Sequence, residues 1–290
     1  MAILYANVTF LAQDKASDDG ALLAALKCDV ATAKTFFGND LKDESAKEYK
    51  GVMLSVAVEV NCTELFEFLI SNGVDVNFKN KNSGDTVLHT AALFGRVDLM
   101  KRLLVFGVDI NAKNDSDWTP LKKAVIHRKN DVIKVLIDNG ASLTVKDNYE
   151  NTLLIDAAMI GDINLVKTFL AAGIEVDAQN NNGMTALTYI AGGSNIKILK
   201  ELILAGADIN HQDKEGTTPL IWAAMSDSIK AVKELLASGA NINAIDKDGK
   251  AALGYAAEAE EHSAEIIRLL RKAGAFEKSS LKIDHYRTNQ

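Results

Sequence analysis

The chain has 290 residues, of which 48% are apolar, so it can bury a continuous core. Its formal net charge of −7 argues against nucleic acid as the main ligand, because phosphate binding needs a surface rich in Lys and Arg. No apolar run approaches the roughly 18 residues of a membrane span, and the amino terminus lacks the basic residues of a cleaved signal peptide.

Taken from the amino terminus, one pattern recurs with a period of 33 residues. Each copy opens at a position that predicts the start of a first helix: Asp19, Val52, Thr86, Thr119, Thr152, Thr185, Thr218 and Ala251. From the second copy onward, a glycine predicts the end of a second helix: Gly73, Gly107, Gly140, Gly173, Gly206, Gly239 and Gly274. Because two independent landmarks keep one period, the sequence predicts a stack of eight helix–turn–helix repeats.

The residue types at these landmarks suit their predicted places. A threonine hydroxyl can accept a free N–H at a helix start, and Pro120 and Pro219 follow such threonines, where a missing N–H costs nothing. Pairs such as Ala91-Ala92 allow neighbouring helices to approach closely, and the glycine supplies the left-handed residue that closes the second helix. Between repeats lies a polar stretch of turn-forming residues, which we call the finger; one example is residues 109–118.

The runs Thr218-Pro219-Leu220 and Gly206-Ala207-Asp208-Ile209-Asn210, with their counterparts in other copies, strongly resemble the ankyrin repeat. The resemblance covers residues 10–275 and implies an all-α, ankyrin-like solenoid of stacked helix–turn–helix repeats with short β-hairpin fingers. It divides the chain into an N-terminal half-repeat lid (1–18), a continuous solenoid of eight repeats (19–276) and a polar C-terminal tail (277–290).

Several copies depart from the family pattern. In the first repeat Asp40 replaces the closing glycine and residues 41–50 form a charged, poorly matching finger, while Val52 replaces the capping threonine of the second. The family's histidine is present as His89, but Lys122 and other residues replace it elsewhere. Its absence removes a linking hydrogen bond, so we expect some repeat junctions to be looser.

The two cysteines, Cys28 and Cys62, fall near the ends of the first helices of successive repeats. Since stacked repeats are spaced by a helix diameter of about 10 Å, we expect their Cα atoms to be too far apart for a disulfide. A reducing compartment, and hence the cytoplasm, is the simpler interpretation, with secretion as an effector the alternative.

The sequence shows no recognisable catalytic, metal-binding or phosphate-binding motif. The five histidines have no metal-ligand spacing, Gly192-Gly193 lacks the rest of a phosphate loop, and the serines lack a nucleophile elbow. We therefore expect no catalytic, cofactor or metal site; an enzyme with an unfamiliar site is the minor alternative. Four asparagines recur at one finger position, where the family resemblance permits hydroxylation, but hydrogen bonding to the turn explains them more simply: Asn77, Asn111, Asn210 and Asn243.

In ankyrin-like stacks the variable contact positions are the pair after Ala-Ala and the residue before the capping threonine. The predicted partner-binding residues at these positions are largely apolar, as in a recognition patch: Leu93, Phe94, Trp118, Ile126, His127, Met159, Ile160, Met184 and Met225. Phe94 and Trp118 are the expected anchors, because large aromatic residues dominate interface energetics. The alternative is that this stripe is the edge of the core, as we expect for Tyr189, Trp222 and Tyr255.

The leading functional prediction is a non-enzymatic, monomeric protein–protein interaction module that binds a folded partner through its concave face. Its sharper form is a stoichiometric inhibitor or immunity protein. The alternative is a secreted bacterial effector or adaptor that recruits a host protein.

Overall fold

A computed structural model describes residues 16–37, 47–258 and 263–276, which form sixteen α-helices in eight consecutive pairs. The predicted all-α class is confirmed. Residues 1–15 of the predicted lid, the tail at 277–290 and the substitution at Asp40 lie outside the described residues. The chain divides into two compact units, residues 1–148 and 149–290, and the predicted continuity of residues 19–276 stays a prediction.

The first unit contains four helix pairs, each packed as a hairpin. Its first helices α1, α3, α5 and α7 pack against one another in that order, and the second helices pack in two contacts, α2 with α4 and α6 with α8. The bounds are α1 (Ala16–Leu26), α2 (Val30–Phe37), α3 (Lys47–Glu59), α4 (Thr63–Ser71), α5 (Val87–Phe94), α6 (Val97–Val105), α7 (Pro120–Ile126) and α8 (Asn130–Asp138).

The second unit repeats this arrangement with four further pairs. Its first helices stack in the order α9, α11, α13, α15, and its second helices in the order α10, α12, α14, α16. The bounds are α9 (Leu153–Ile160), α10 (Ile163–Ala171), α11 (Ala186–Ala191), α12 (Ile196–Leu204), α13 (Pro219–Met225), α14 (Ile229–Ala237), α15 (Ala252–Glu258) and α16 (Ala264–Lys272).

The predicted helix boundaries are confirmed in the regular repeats. Four capping threonines each accept the backbone N–H three residues ahead: Thr119, Thr152, Thr185 and Thr218. All seven closing glycines have φ between 74° and 100°, a left-handed conformation that other residues adopt at a cost. The small pair Ala91-Ala92 is fully buried, so adjacent first helices are in close contact.

The first two predicted helix starts are wrong. Helix α1 begins at Ala16 and α3 at Lys47, so Asp19 and Val52 lie inside helices, and residues 47–50 of the predicted first finger are helical. Asp19 and Val52 replace the threonine found in the five copies from Thr86 to Thr218, so no threonine cap fixes the helix start at these two positions.

The fingers are tight turns, with one antiparallel bridge, Lys79–Thr86, in the described part of the chain. An Asn or Asp organises four of these turns: the Oδ1 atoms of Asn114, Asn180, Asp213 and Asp246 accept backbone N–H groups two and four residues ahead. These side chains satisfy the finger backbone without a long strand ladder.

The prediction for the recurring asparagines needs a correction. Their side-chain oxygens accept a backbone N–H from the following repeat, at distances of 2.7–3.3 Å, instead of closing their own turn: Asn77 from Asp109, Asn111 from Ser142, Asn210 from Asn241 and Asn243 from Phe276. They therefore connect successive repeats.

The expectation for the cysteines is also wrong. Cys28 and Cys62 form a disulfide with a Cα–Cα distance of 5.5 Å. The helix-diameter argument fails because both residues lie in the turns between paired helices and not on the helices themselves. Cys62, 34 residues after Cys28, directly precedes the second helix α4, and Cys28 lies opposite it. Polar side chains make the same reach elsewhere: Asn195 and Ser228 donate to the carbonyl oxygens of Gly161 and Gly193.

The expectation of looser junctions where histidine is absent is wrong at Lys122. His89 links α5 to the next finger through the Trp118 carbonyl, and Lys122, at the corresponding position of α7, reaches the next finger through Asp147. A lysine with a buried acidic partner therefore replaces the histidine as a connector.

Candidate functional site

The predicted partner-binding residues occupy two recurring places in each unit. One is the end of a first helix, where α5 ends at Phe94, α7 at Ile126, α9 at Ile160 and α13 at Met225. The other is the finger residue before the capping threonine, which is Trp118 or Met184. The threonine cap fixes where each first helix begins. The finger residue directly precedes that cap, and the other place lies at the opposite end of the same short helix.

The part of this set that lies in the first unit is only partly exposed. Leu93, Phe94, Trp118 and Ile126 are half-buried, whereas His127 is exposed, as expected for a surface residue. Partial burial, with help from Lys123 and Lys129, lowers the pKa of the His127 imidazole. None of the five belongs to the fully buried core, so each keeps surface available for contact.

The second unit presents more flexible side chains. Met159 is 50% exposed and Met225 is 44% exposed, while Ile160 and Met184 are half-buried. Methionine is unbranched and polarisable, so it adapts to an irregular partner surface. The half-buried members of the set also support part of the core-edge alternative, because their inner faces pack against the unit.

Hydrogen bonds fix the finger that carries Trp118. Its backbone N–H donates to Asn114 Oδ1 at 3.0 Å, and its carbonyl accepts the Asn114 N–H at 3.0 Å. Asn114 Nδ2 in turn donates to Asp85 Oδ1 of the preceding finger at 2.8 Å. The indole is thus carried by a backbone that is already ordered, which reduces the entropy lost when a partner binds.

Phe94 borders a groove between α3, α5 and the finger of residues 80–85. The groove encloses about 130 Å³, and Leu93, Phe94, Val52 and Val56 form its apolar wall. Arg96 lies beside it, with its guanidinium 5.9 Å from the centre of the Phe94 ring and Nη2 donating to the Glu59 carbonyl oxygen at 2.6 Å.

The carboxylate of Glu59 also lines this groove. Its Oε1 atom is buried and has no hydrogen-bond partner among the described residues. Burial raises the pKa of the Glu59 carboxyl, against the opposing charge of Arg96. The repeat pattern places Glu59 at a variable contact position, but a glutamate at the end of a helix carries no pattern that predicts burial of one oxygen.

The prediction that Tyr189, Trp222 and Tyr255 are packing residues holds for two of the three. Trp222 Nε1 donates to Asp213 at 2.9 Å and the Tyr255 hydroxyl donates to Asp246 at 2.5 Å, so both are tied to fingers as expected. The hydrogen bond to Asp246 raises the pKa of Tyr255 to about 12. Tyr189, in contrast, is 38% exposed, although the sequence pattern assigns it to packing. The finger residue Tyr149 is 67% exposed.

Other kinds of site are absent from the described part of the chain. It contains no group of three or more His, Cys, Asp or Glu residues arranged to hold a metal ion. Within the same residues, no helix is both long and apolar enough to cross a membrane.

Comparison with known proteins establishes the family. A family profile described as ankyrin repeats matches three overlapping or adjacent segments, residues 54–147, 154–246 and 190–280. The chain belongs to the ankyrin-repeat family, and the predicted solenoid fold is confirmed. Ankyrin repeats are protein–protein interaction modules, which defines the class of this protein. The first helix pair, α1 and α2, lies outside the matched segments.

Two solved structures are similar over most of their length. An ankyrin repeat domain from Acinetobacter baumannii AYE is 30% identical, with a TM-score of 0.61, and the alignment covers 65% of this chain and 98% of that domain. The human ASB11 ankyrin repeat domain is 25% identical, with a TM-score of 0.65, over 77% of this chain and 98% of that domain.

Curated relatives share only a few repeats. Potassium channel AKT1 of Oryza sativa subsp. indica is 39% identical over 70 residues, which are 24% of this chain and 7% of the channel. Putative ankyrin repeat protein FPV031 of fowlpox virus is 35% identical over 74 residues, 26% of this chain and 22% of that protein. Since the chain spans so little of these relatives, their activities do not transfer.

Proposed function

We propose that this chain is a non-enzymatic, monomeric module that binds a folded protein partner through the ends of its first helices and its fingers. The observation that carries the proposal is the combination at Phe94 and Trp118. Both are large aromatic residues in solvent contact, and the Trp118 finger is held by three hydrogen bonds at its backbone. Rigid, partly exposed aromatic residues are the usual anchors of an interface.

The remaining members of the set supply the rest of the proposed contact surface. In the first unit these are Leu93, Ile126 and His127, and in the second Met159, Ile160, Met184 and Met225. Polar finger tips such as Asp115 to Asp117 would form a wet rim, which contributes more to the rate of association than to affinity.

Affinity capture from the native source tests the proposal. The variant carrying Phe94→Ala and Trp118→Ala should lose the partner, while a matched variant at exposed Val105 and Phe106, at the end of α6, should keep it. Circular dichroism controls for folding. Full capture by the first variant would contradict the proposal, and a large loss of its stability would favour the core-edge interpretation of these residues.

The sharper form is a stoichiometric inhibitor. If the captured partner has an activity, titration with this chain should abolish it at a one-to-one ratio. Undiminished activity in the saturated complex would instead indicate a scaffold or adaptor.

A further inference from the structure

The groove beside Phe94 contains an acceptor that the described residues leave unused. Glu59 Oε1 is buried there without a hydrogen-bond partner. A buried polar atom of this kind costs free energy until a donor reaches it, whereas the same atom adds to affinity when a ligand supplies that donor. The groove therefore favours a ligand that brings a hydrogen-bond donor to Glu59 Oε1.

The other charged groups around the groove already have partners. Lys81 pairs with Glu48, and Lys123 pairs with Asp85. Arg96 is the nearest remaining cation, but its Nε and Nη2 atoms donate to the backbone carbonyl of Glu59, at 3.2 and 2.6 Å. The lining thus has three carboxylates, Glu48, Glu59 and Asp85, against the single lysine Lys81, and the Glu59 carboxylate forms no ion pair in the described structure.

We propose that this groove receives a lysine or arginine side chain from an extended segment of the protein partner, with its charged head on Glu59 and its aliphatic stem along Leu93 and Phe94. The inference rests on the proposed function and assigns one contact within it. An ammonium or guanidinium group provides the missing donor and the opposite charge together. Its methylene stem matches the apolar wall formed by Val52, Val56, Leu93 and Phe94.

A neutral donor would satisfy the oxygen but not the charge. When the cation enters, it stabilises the ionised form of the carboxylate, whose pKa is raised by burial. Among the described residues, Arg96 at the start of α6 acts on this carboxylate by its charge, and Glu48 of α3 and Lys81 and Asp85 of the finger line the same groove.

The test uses peptide pools and the full chain. Labelled eleven-residue peptides are randomised at all positions except the sixth, which is Lys, Arg, norleucine, Gln or Glu. Binding to the unmodified chain is compared with binding to Glu59→Gln, which keeps the shape of the side chain, and to Glu67→Gln. Glu67 is a matched control because it lies outside the groove and pairs with Arg102.

We expect the Lys and Arg pools to bind roughly tenfold or more tightly than the norleucine pool, as for a hydrogen bond between charged groups. Glu59→Gln should remove most of this preference and Glu67→Gln should retain it. Equal binding of the Lys and norleucine pools, a Gln pool as tight as the Lys pool, an unchanged preference in Glu59→Gln, or no binding by any pool would overturn the proposal.

Failure here is distinguishable from failure of the proposed function. One outcome is that the native partner is captured equally by Glu59→Gln and the unmodified chain but lost by the Phe94 and Trp118 double variant. That result would support the proposed binding surface and contradict the proposed contact between Glu59 and a basic side chain. If the double variant also retains the partner, the proposed function itself fails.

Discussion

His89 Nε2 lies 2.9 Å from the carbonyl oxygen of Trp118, and Nδ1 of the same ring accepts the backbone N–H of Thr86 at 3.1 Å. Because a backbone N–H can only donate, Nδ1 is the acceptor and the neutral ring carries its proton on Nε2. A single imidazole therefore caps α5 and holds the finger that presents the proposed anchor. Protonation would place a hydrogen on Nδ1, against the Thr86 N–H.

This geometry predicts a pH dependence of local stability. Burial lowers the pKa of His89 below 6.5, despite the hydrogen bond to Trp118 and the nearby Asp85 carboxylate. A depressed pKa in the folded state means that the contribution is fully present above pH 6.5 and is lost as pH falls from there through the folded-state pKa. Amide hydrogen-exchange protection factors of α5 and its following finger, corrected for the intrinsic pH dependence of exchange, should therefore fall on acidification.

The matched variant is His89→Gln, since glutamine at this position can also accept from the capping residue but does not titrate in this range. It should remove the acid-dependent loss of protection. His127→Gln, which changes an exposed histidine, should leave it in place. An unchanged pH profile in His89→Gln would show that another group is responsible.

A second prediction concerns the buried pair of Lys122 and Asp147. The ammonium and carboxylate lie 2.8 Å apart, with side chains 1% and 5% exposed. Lys122→Met should lower the free energy of unfolding by about 3–5 kcal/mol, because it removes the cation that forms an ion pair with the buried Asp147 carboxylate. The double variant with Asp147→Leu should recover most of that loss, as measured by urea denaturation.

An exposed pair supplies the comparison. Lys200 and Glu234 lie 2.9 Å apart with side chains 52% and 27% exposed, so Lys200→Met should cost under about 1 kcal/mol. Similar losses in the free energy of unfolding for Lys122→Met and Lys200→Met would mean that burial does not determine the contribution of the first pair.

A third prediction follows from the disulfide between Cys28 and Cys62. The bond closes a loop across the first two helix pairs, and a loop of this size stabilises the folded state by roughly 2–4 kcal/mol. Reductant should lower the unfolding midpoint of the unmodified chain, with no effect on a variant carrying Cys28→Ser and Cys62→Ser. Two titratable thiols in protein prepared without reductant would show that the bond is not formed.

The regular repeats were predictable because their landmarks act locally. A threonine cap depends on the next three residues, and a closing glycine on its own backbone, so Thr119 and Gly140 could be placed from sequence. The fold class and the general position of Phe94 and Trp118 follow from those landmarks.

What sequence reasoning missed depends on register between repeats. Cys28 meets Cys62 because the contact runs diagonally from one turn to the next, which a spacing by helix diameter does not describe. From sequence alone, Lys122 and Asp147 resemble surface charges. They become buried because α7 packs against the finger of the next repeat, which carries Asp147. Glu59 becomes an unpaired acceptor only where α3, α5 and a finger enclose it.

The most direct measurement for the central claim is hydroxyl-radical footprinting of the full chain, alone and with its captured partner. Binding through the first-helix ends and fingers predicts protection of Phe94, Trp118, Met159 and Met225. Val105 and Leu204, which are 84% and 82% exposed at the ends of second helices α6 and α12, should label unchanged. Protection confined to Val105 and Leu204, with Phe94 and Trp118 unaffected, would contradict the account.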